Sequence, residues 1–330
     1  MSHDAWMLAA AARPEAATRG IPASAPRARP AQLEPPLDTS RPVLIIDGGT
    51  RADLGLVRSL GLGGIPVHLL TSGRATVTTQ SRYVTQTHAF PHPGASDAER
   101  LARIRAVAKS LRSRPVVLPS GDGALRFLSR HRADFADIVD HDLPDPRMVA
   151  NSLDNARFAE RAERLSLRVP TTWIPRDQQH IAGAHSEVVS VHVYVEPSGR
   201  ILGSFTSVEA GTRPADAPIG SAVISRRNEE LAALAVDIVG NLEYSGFAIL
   251  QFKRDSAQDA FRLVEINCRY GAWTELPSRC GCNFPVAAYA TITGQLAPVL
   301  VQREGVRCWS FFALDDPAPF VWQLFRRKTY

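Results

Sequence analysis

Residues Val43–Asp47 read Val-Leu-Ile-Ile-Asp, and Gly48-Gly49-Thr50 follow at once. A short run that is apolar at each position and rich in β-branched residues is the pattern of a strand buried on both faces. The glycines supply a tight turn. The spacing then predicts a helix to about Leu62 and a second strand over Val67–Leu70. Strand, glycine turn, helix and strand in that order open a parallel sheet, because parallel neighbours need a crossover between them. A second unit follows. Leu101, Ile104, Val107, Ala108 and Leu111 recur at helical spacing within 97–112, then come a strand over Pro115–Leu118, the turn Ser120-Gly121-Asp122-Gly123, and a helix over 124–133. Residues 42–150 are expected to form a doubly wound α/β domain. Its ligands would be received by loops at the strand ends, where Asp47, Gly48, Gly49 and Asp122 stand.

The first 41 residues contrast with this. They hold eleven alanines and six prolines without a sustained apolar period, so a disordered tail is expected. No stretch approaches the roughly 18 apolar residues that a membrane helix needs. The start lacks the positive region of a secretory signal, and a cytoplasmic protein is expected. The net charge is +5, yet arginine supplies 35 of the 38 cations, and no basic cluster is interleaved with aromatics. That excludes a nucleic-acid surface and favours acidic small molecules as ligands. The four cysteines lack any C-x-x-C spacing, which argues against zinc and for buried, reduced thiols.

Beyond 150 the pattern turns to hairpins. Val188–Val195 is a β-branched strand, the turn Glu196–Gly199 ends it, and Arg200–Thr206 is its expected partner. A helix is expected over 229–239, capped by Asn228, with Leu231, Leu234, Ala235 and Ile238 as its buried stripe and Gly240 just past its end. A second hairpin joins Phe247–Lys253 to Phe261–Asn267. Strands alternate sides, so Gln251 and Lys253 share one face, and Glu265 and Asn267 share a face opposite Val264 and Ile266. Two readings of this polar face are open: a set of hard oxygen donors for Mg²⁺, or the solvated outside of a hairpin. The final segment, 311–330, is crowded with aromatics and ends in Arg326-Arg327-Lys328 before Thr329-Tyr330. It is expected either to dock on the core or to mediate self-association, for which a homodimer is the simplest form.

The strings QFKRD at 251–255, LVEINCR at 263–269 and GCNFPVAAYATITG at 281–294 resemble the metal-binding end of the ATP-grasp superfamily. More narrowly, they are similar to its carboxylate–amine ligases, which join an acid to an amine through an acyl phosphate. VLIIDGG, VVLPSGDG at 116–123, and SLDNARFAERAERLSLRVPTTWIP at 152–175 fit the same order, so the resemblance covers most of 42–310. It implies an α/β fold: a doubly wound N-terminal domain followed by a shortened α+β ATP-grasp-like domain over 151–310. It implies ATP and Mg²⁺, with the metal on Gln251, Glu265 and Asn267. Arg269 matches the arginine that faces the transferred phosphoryl group. Gln179, His180 and Ile181 match the adenine hinge, and Glu187 the carboxylate that takes the ribose hydroxyls.

Three departures accompany the resemblance. Gln251 stands where many members carry a carboxylate, and Asn155 where a lysine is usual. Between Arg176 and Gln179 only Asp177 and Gln178 stand in place of a lysine-bearing subdomain, and no lysine occurs from 110 to 252. Two functions follow as expectations: an ADP-forming ligase of small carboxylate and amine substrates, in which Arg157 or Arg176 replaces the lysines, or a degenerate relative that binds a ligand or partner without catalysis.

Overall fold

Two sheets organise the chain. The computed structural model describes residues 36–309 apart from 74, 93, 155–156, 158–163, 165–187, 210–221 and 256–259. In the first sheet β1 (Val43–Ile46), β2 (Val67–Thr71), β3 (Val84–Ala89) and β4 (Val116–Val117) lie in the order β3-β2-β1-β4, and each neighbouring pair is parallel. The crossovers are α1 (Arg51–Leu62) and α2 (Asp97–Ser110), and α3 (Gly121–Arg130) leaves β4. All four residues of β1 are buried, as a doubly covered central strand requires. Strand β3 was not foreseen. Its Val-Thr-Gln-Thr-His-Ala lies at the sheet edge, largely exposed, and carries no apolar signal to read. Helix α3 begins at Gly121, so the segment expected as a glycine loop is its first turn.

The second sheet is antiparallel. It comprises β5 (Val188–Val195), β6 (Ile201–Glu209), β7 (Ala222–Ser225), β8 (Gly246–Asp255), β9 (Ala260–Asn267) and β10 (Arg307–Trp309), in the order β10-β7-β6-β5-β8-β9. A 3-10 helix over Arg132–Phe135 and helices α4 (Pro146–Ser152), α5 (Glu229–Asn241), α6 (Glu275–Arg279) and α7 (Phe284–Ile292) complete the described elements. A parallel and an antiparallel sheet with helices give the α/β class that the sequence implied.

Period-2 alternation divides the second sheet between two cores. Val189, Val191, Val193, Ala248, Leu250, Phe252, Leu263 and Ile266 cluster with Leu231, Ala235, Ile238 and Val239 of α5. Tyr194, Phe205, Phe247 and Ile249, on the opposite face, cluster with β1, α1 and α7 through Val43, Ile45, Leu56, Leu60 and Phe284. Helix α5 is capped as expected, the Asn228 side chain accepting from the Leu231 amide at 3.0 Å. It runs past Gly240 to Asn241, and Glu243, at φ 50°, takes the left-handed turn assigned above to Gly240.

The chain before β1 is tied down at its end. Leu37 packs against the second core, the Asp38 amide donates to Gln295 Oε1 at 2.7 Å, and the Tyr289 hydroxyl donates to the Arg41 carbonyl at 2.9 Å. Cys268, Cys280 and Cys282 are free and buried, and burial pushes the Cys282 thiol up to about 12. No helix among the described residues is long and apolar enough to cross a membrane.

Two packing details lead to tests. Gly61 lies against Tyr83, whose Cδ1 would stand 2.2 Å from an added Cβ. Gly61→Ala is expected to destabilise by about 1–3 kcal/mol, the usual cost of overpacking, read as a lower urea midpoint. His192 is buried among Phe205, Phe247 and Phe284, and desolvation pushes its pKa from 6.5 down to about 3. The unfolded chain therefore binds this proton more readily than the folded one. The stability involved is full above pH 6.5 and is lost as pH falls toward 3. The urea midpoint should drop between about pH 7 and about pH 4, and His192→Phe should shrink that drop.

Candidate functional site

The site is built first by register. Gln251 stands directly opposite Glu265, and Ile249 opposite Asn267. Directly opposed residues project to the same face, so Gln251, Glu265 and Asn267 share one side of the sheet, as alternation predicted. A register shift follows Gln251, and Phe252 pairs with Leu263. Val264 is the extra residue of this bulge and is 37% exposed, so it does not join Ile266 on the apolar face as expected. Asn267 Nδ2 donates to Glu265 Oε1 at 2.7 Å. That bond orients the Asn267 amide and leaves its carbonyl oxygen and the second Glu265 oxygen without a hydrogen bond among the described residues.

These donors sit at the open end of a face whose other end is dry. Along β8 the same side carries Phe247 and Ile249, both buried, then Gln251 and Lys253, both half-buried. Reading across the strands from Glu265, the pairing runs through Gln251, Ser190 and Ser207 to Ser225. Ser207 and Ser225 in this row are buried, Ser225 Oγ donating to the Arg303 carbonyl at 2.6 Å, so the row opens only toward Ser190, Gln251 and Glu265.

The parallel sheet brings its loops to the same place. Ser120 forms a parallel bridge with Tyr270, and the Tyr270 amide donates to the Pro119 carbonyl at 3.3 Å. The chain leaving β9 thus runs beside the end of β4, and Arg269 Nε pairs with Asp122 Oδ1 in the first turn of α3. Glu275, further along the chain, pairs with Arg58 at 2.8 Å and with Arg279. Asp47 ends β1 and organises its own turn. Its Oδ1 accepts from the Gly49 amide at 3.0 Å, its Oδ2 from the Thr76 hydroxyl at 3.2 Å, and Gly49 takes φ +72° beside Gly48.

Asp53 joins these loops, and the sequence reading missed it. It is fully buried and accepts from the Thr50 amide and hydroxyl, each at 2.7 Å, and from the Ser120 hydroxyl. Burial pushes its carboxyl above the ordinary range, while the Ser120 and Thr50 bonds pull the other way. The signal was Thr50-x-x-Asp53 ahead of an apolar run, the capping pattern of a helix start.

The structure therefore brings Asp47, Gly48, Gly49, Asp122, Arg269, Asn267, Glu265 and Gln251 onto neighbouring elements. Gln179, His180, Ile181 and Glu187 lie outside the described residues, as does Arg176. Arg157 pairs with Asp154 at 3.3 Å and is exposed. Among the described residues no group of three or more His, Cys, Asp or Glu side chains could hold a metal. The donor set that exists is one carboxylate and two amide oxygens, hard ligands that suit a Mg²⁺ completed by water and phosphate oxygens.

Removing the central carboxylate tests the coupling of these loops. Asp53→Ala strips the Thr50 and Ser120 donors of a buried acceptor and is expected to cost about 2–4 kcal/mol in urea unfolding. Asp53→Asn, which keeps the shape, should cost less.

No family model matches the chain, and no curated protein matches its sequence. Solved structures do match. An L-amino acid ligase from Bacillus licheniformis superposes with a TM-score of 0.61 at 10% identity, over 81% of this chain and 78% of that one. The ADP complex of PurK, an N5-carboxyaminoimidazole ribonucleotide synthetase, gives 0.58 at 14% identity, over 80% of each chain. The multifunctional pyruvate carboxylase from Rhizobium etli gives 0.57 at 13% identity, and there the match spans 81% of this chain but only 26% of that enzyme. At these identities the likeness is one of fold, and the fold of this chain is ATP-grasp-like.

Proposed function

We propose that the chain is an ATP-dependent, ADP-forming carboxylate–amine ligase acting on small substrates. The observation that carries this reading is the shared face of Gln251, Glu265 and Asn267, with Arg269 held beside it by Asp122. Two structural neighbours support it by what they are: one is an L-amino acid ligase and another was solved with ADP.

In this reading Gln251, Glu265 and Asn267 hold Mg²⁺, which supplies charge neutralisation at the phosphates when bound. Asn267 orients Glu265 through their 2.7 Å bond, so the carboxylate keeps one oxygen for the metal. Arg269, anchored through Nε, offers its remaining N–H groups to the phosphoryl group as it passes to the substrate carboxylate. The turns at Asp47–Gly49 and Ser120–Asp122 hold the acid and the amine against that point. The backbone of Gln179–Ile181 would meet adenine, and Glu187 the ribose.

A second reading, a binding protein without turnover, draws on a different observation. Glu265 is the one carboxylate among the proposed metal ligands, and only Asp177 and Gln178 stand between Arg176 and the adenine hinge. Loss of two charge-assisted phosphate contacts weakens nucleotide binding by roughly two to four decades. ADP release over a panel of carboxylates and amines decides between the two. The ligase reading expects substrate-dependent ADP that disappears in Glu265→Ala. Nucleotide binding without ADP release would establish the binding protein instead.

A further inference from the structure

We infer that Lys253 is a phosphate-binding residue of this site, taking over on the sheet the charge that no lysine between 110 and 252 supplies; the inference rests on the ATP-dependent reading above. Lysine is nearly absent from the chain, with three in 330 residues against 35 arginines, yet one of the three lies two positions from Gln251. Strand alternation puts Lys253 on the face of Gln251, Glu265 and Asn267, roughly 6–7 Å along the strand from Gln251. A four-carbon stem spans that separation. Lys253 is half-buried and makes no hydrogen bond or ion pair among the described residues.

The register adds a second argument. Arg262 stands directly opposite Lys253 across the β8–β9 pair, and Val188 flanks Lys253 on the other side. The bulge at Val264 creates this pairing, because it returns Arg262 to the face that Glu265 and Asn267 occupy. A carboxylate, two amide oxygens and two cations then share one surface. This is the complement of a metal-bound polyphosphate: the oxygens take the metal and Lys253 takes phosphate oxygens.

The test is calorimetric titration of the full chain with MgATP and with inorganic tripolyphosphate plus Mg²⁺, for the wild type, Lys253→Met, Lys253→Arg, Glu265→Gln and Arg200→Ala. Lys253→Met is expected to weaken tripolyphosphate at least ten-fold, the loss of one charge-assisted contact, and to flatten the salt dependence of binding. Lys253→Arg should stay within a few-fold of wild type, and Arg200→Ala, at an exposed turn, should match it. Binding by Lys253→Met equal to wild type, with Glu265→Gln impaired, would overturn the role of Lys253 and leave the nucleotide site standing. A wild type that binds neither probe would overturn the nucleotide reading and this inference together. Circular dichroism checks folding, and Lys253→Gln replaces the methionine variant should that variant unfold.

Discussion

The register between β8 and β9 is the constraint on which the rest of the site depends. Because side chains alternate along a strand, a slip of one residue would turn Gln251 or Glu265 into the α5 core and bring Leu250 or Ile266 out. Burial of Leu250, Phe252, Leu263 and Ile266 against α5 opposes that slip, at about 1.5–3 kcal/mol for each large apolar side chain kept from water. The polar face is held in place by the apolar one behind it. The bulge at Val264 absorbs the extra residue without disturbing the Gln251–Glu265 pair.

The same sheet face changes character along its length because of what covers it. Phe284 of α7 reaches His192 and Phe247, so that end is dry, and burial there holds His192 neutral. Toward Ser190, Gln251 and Glu265 the residues become small or polar and half-buried. A gradient from a packed core to an open polar surface within one face is a physical way to place charged ligands against a rigid support. Asp53 does the corresponding work in the other sheet. A buried carboxylate is tolerated when its lone pairs are used, and Thr50 and Ser120 use them. In doing so they tie the β1 turn to the turn that carries Asp122, and hence to Arg269.

Legibility in the sequence followed the strength of the hydrophobic pattern. Strands β1, β2, β5, β8 and β9 and helices α1, α2 and α5 stood out, since each buries a continuous run or stripe. Strand β3 did not, because an exposed edge strand of Val-Thr-Gln-Thr-His-Ala has no face to mark it. The end of α5 was misplaced because Gly240 is a helix residue here and Glu243 adopts the positive φ. The small size of Gly61 serves the close approach of Tyr83, a contact that no local pattern marks. On the polar hairpin, alternation alone predicted the shared face of Gln251, Glu265 and Asn267, while the resemblance supplied the chemistry expected of it.

The amino-acid sequence by itself determined the class of fold and the alternation that groups the polar donors, because both are written in local periodicity. It also carried the near-absence of lysine and the short interval at Asp177–Gln178, which are matters of composition and length. Tertiary structure decided the pairings between residues far apart in the chain: Asp122 with Arg269, Asp53 with Ser120, and Ser120 with Tyr270. It also decided that Val264 leaves the ladder and that Lys253 and Arg262 face one another. None of these follows from local spacing, because each depends on how two sheets, folded from distant segments, bring their strand ends together.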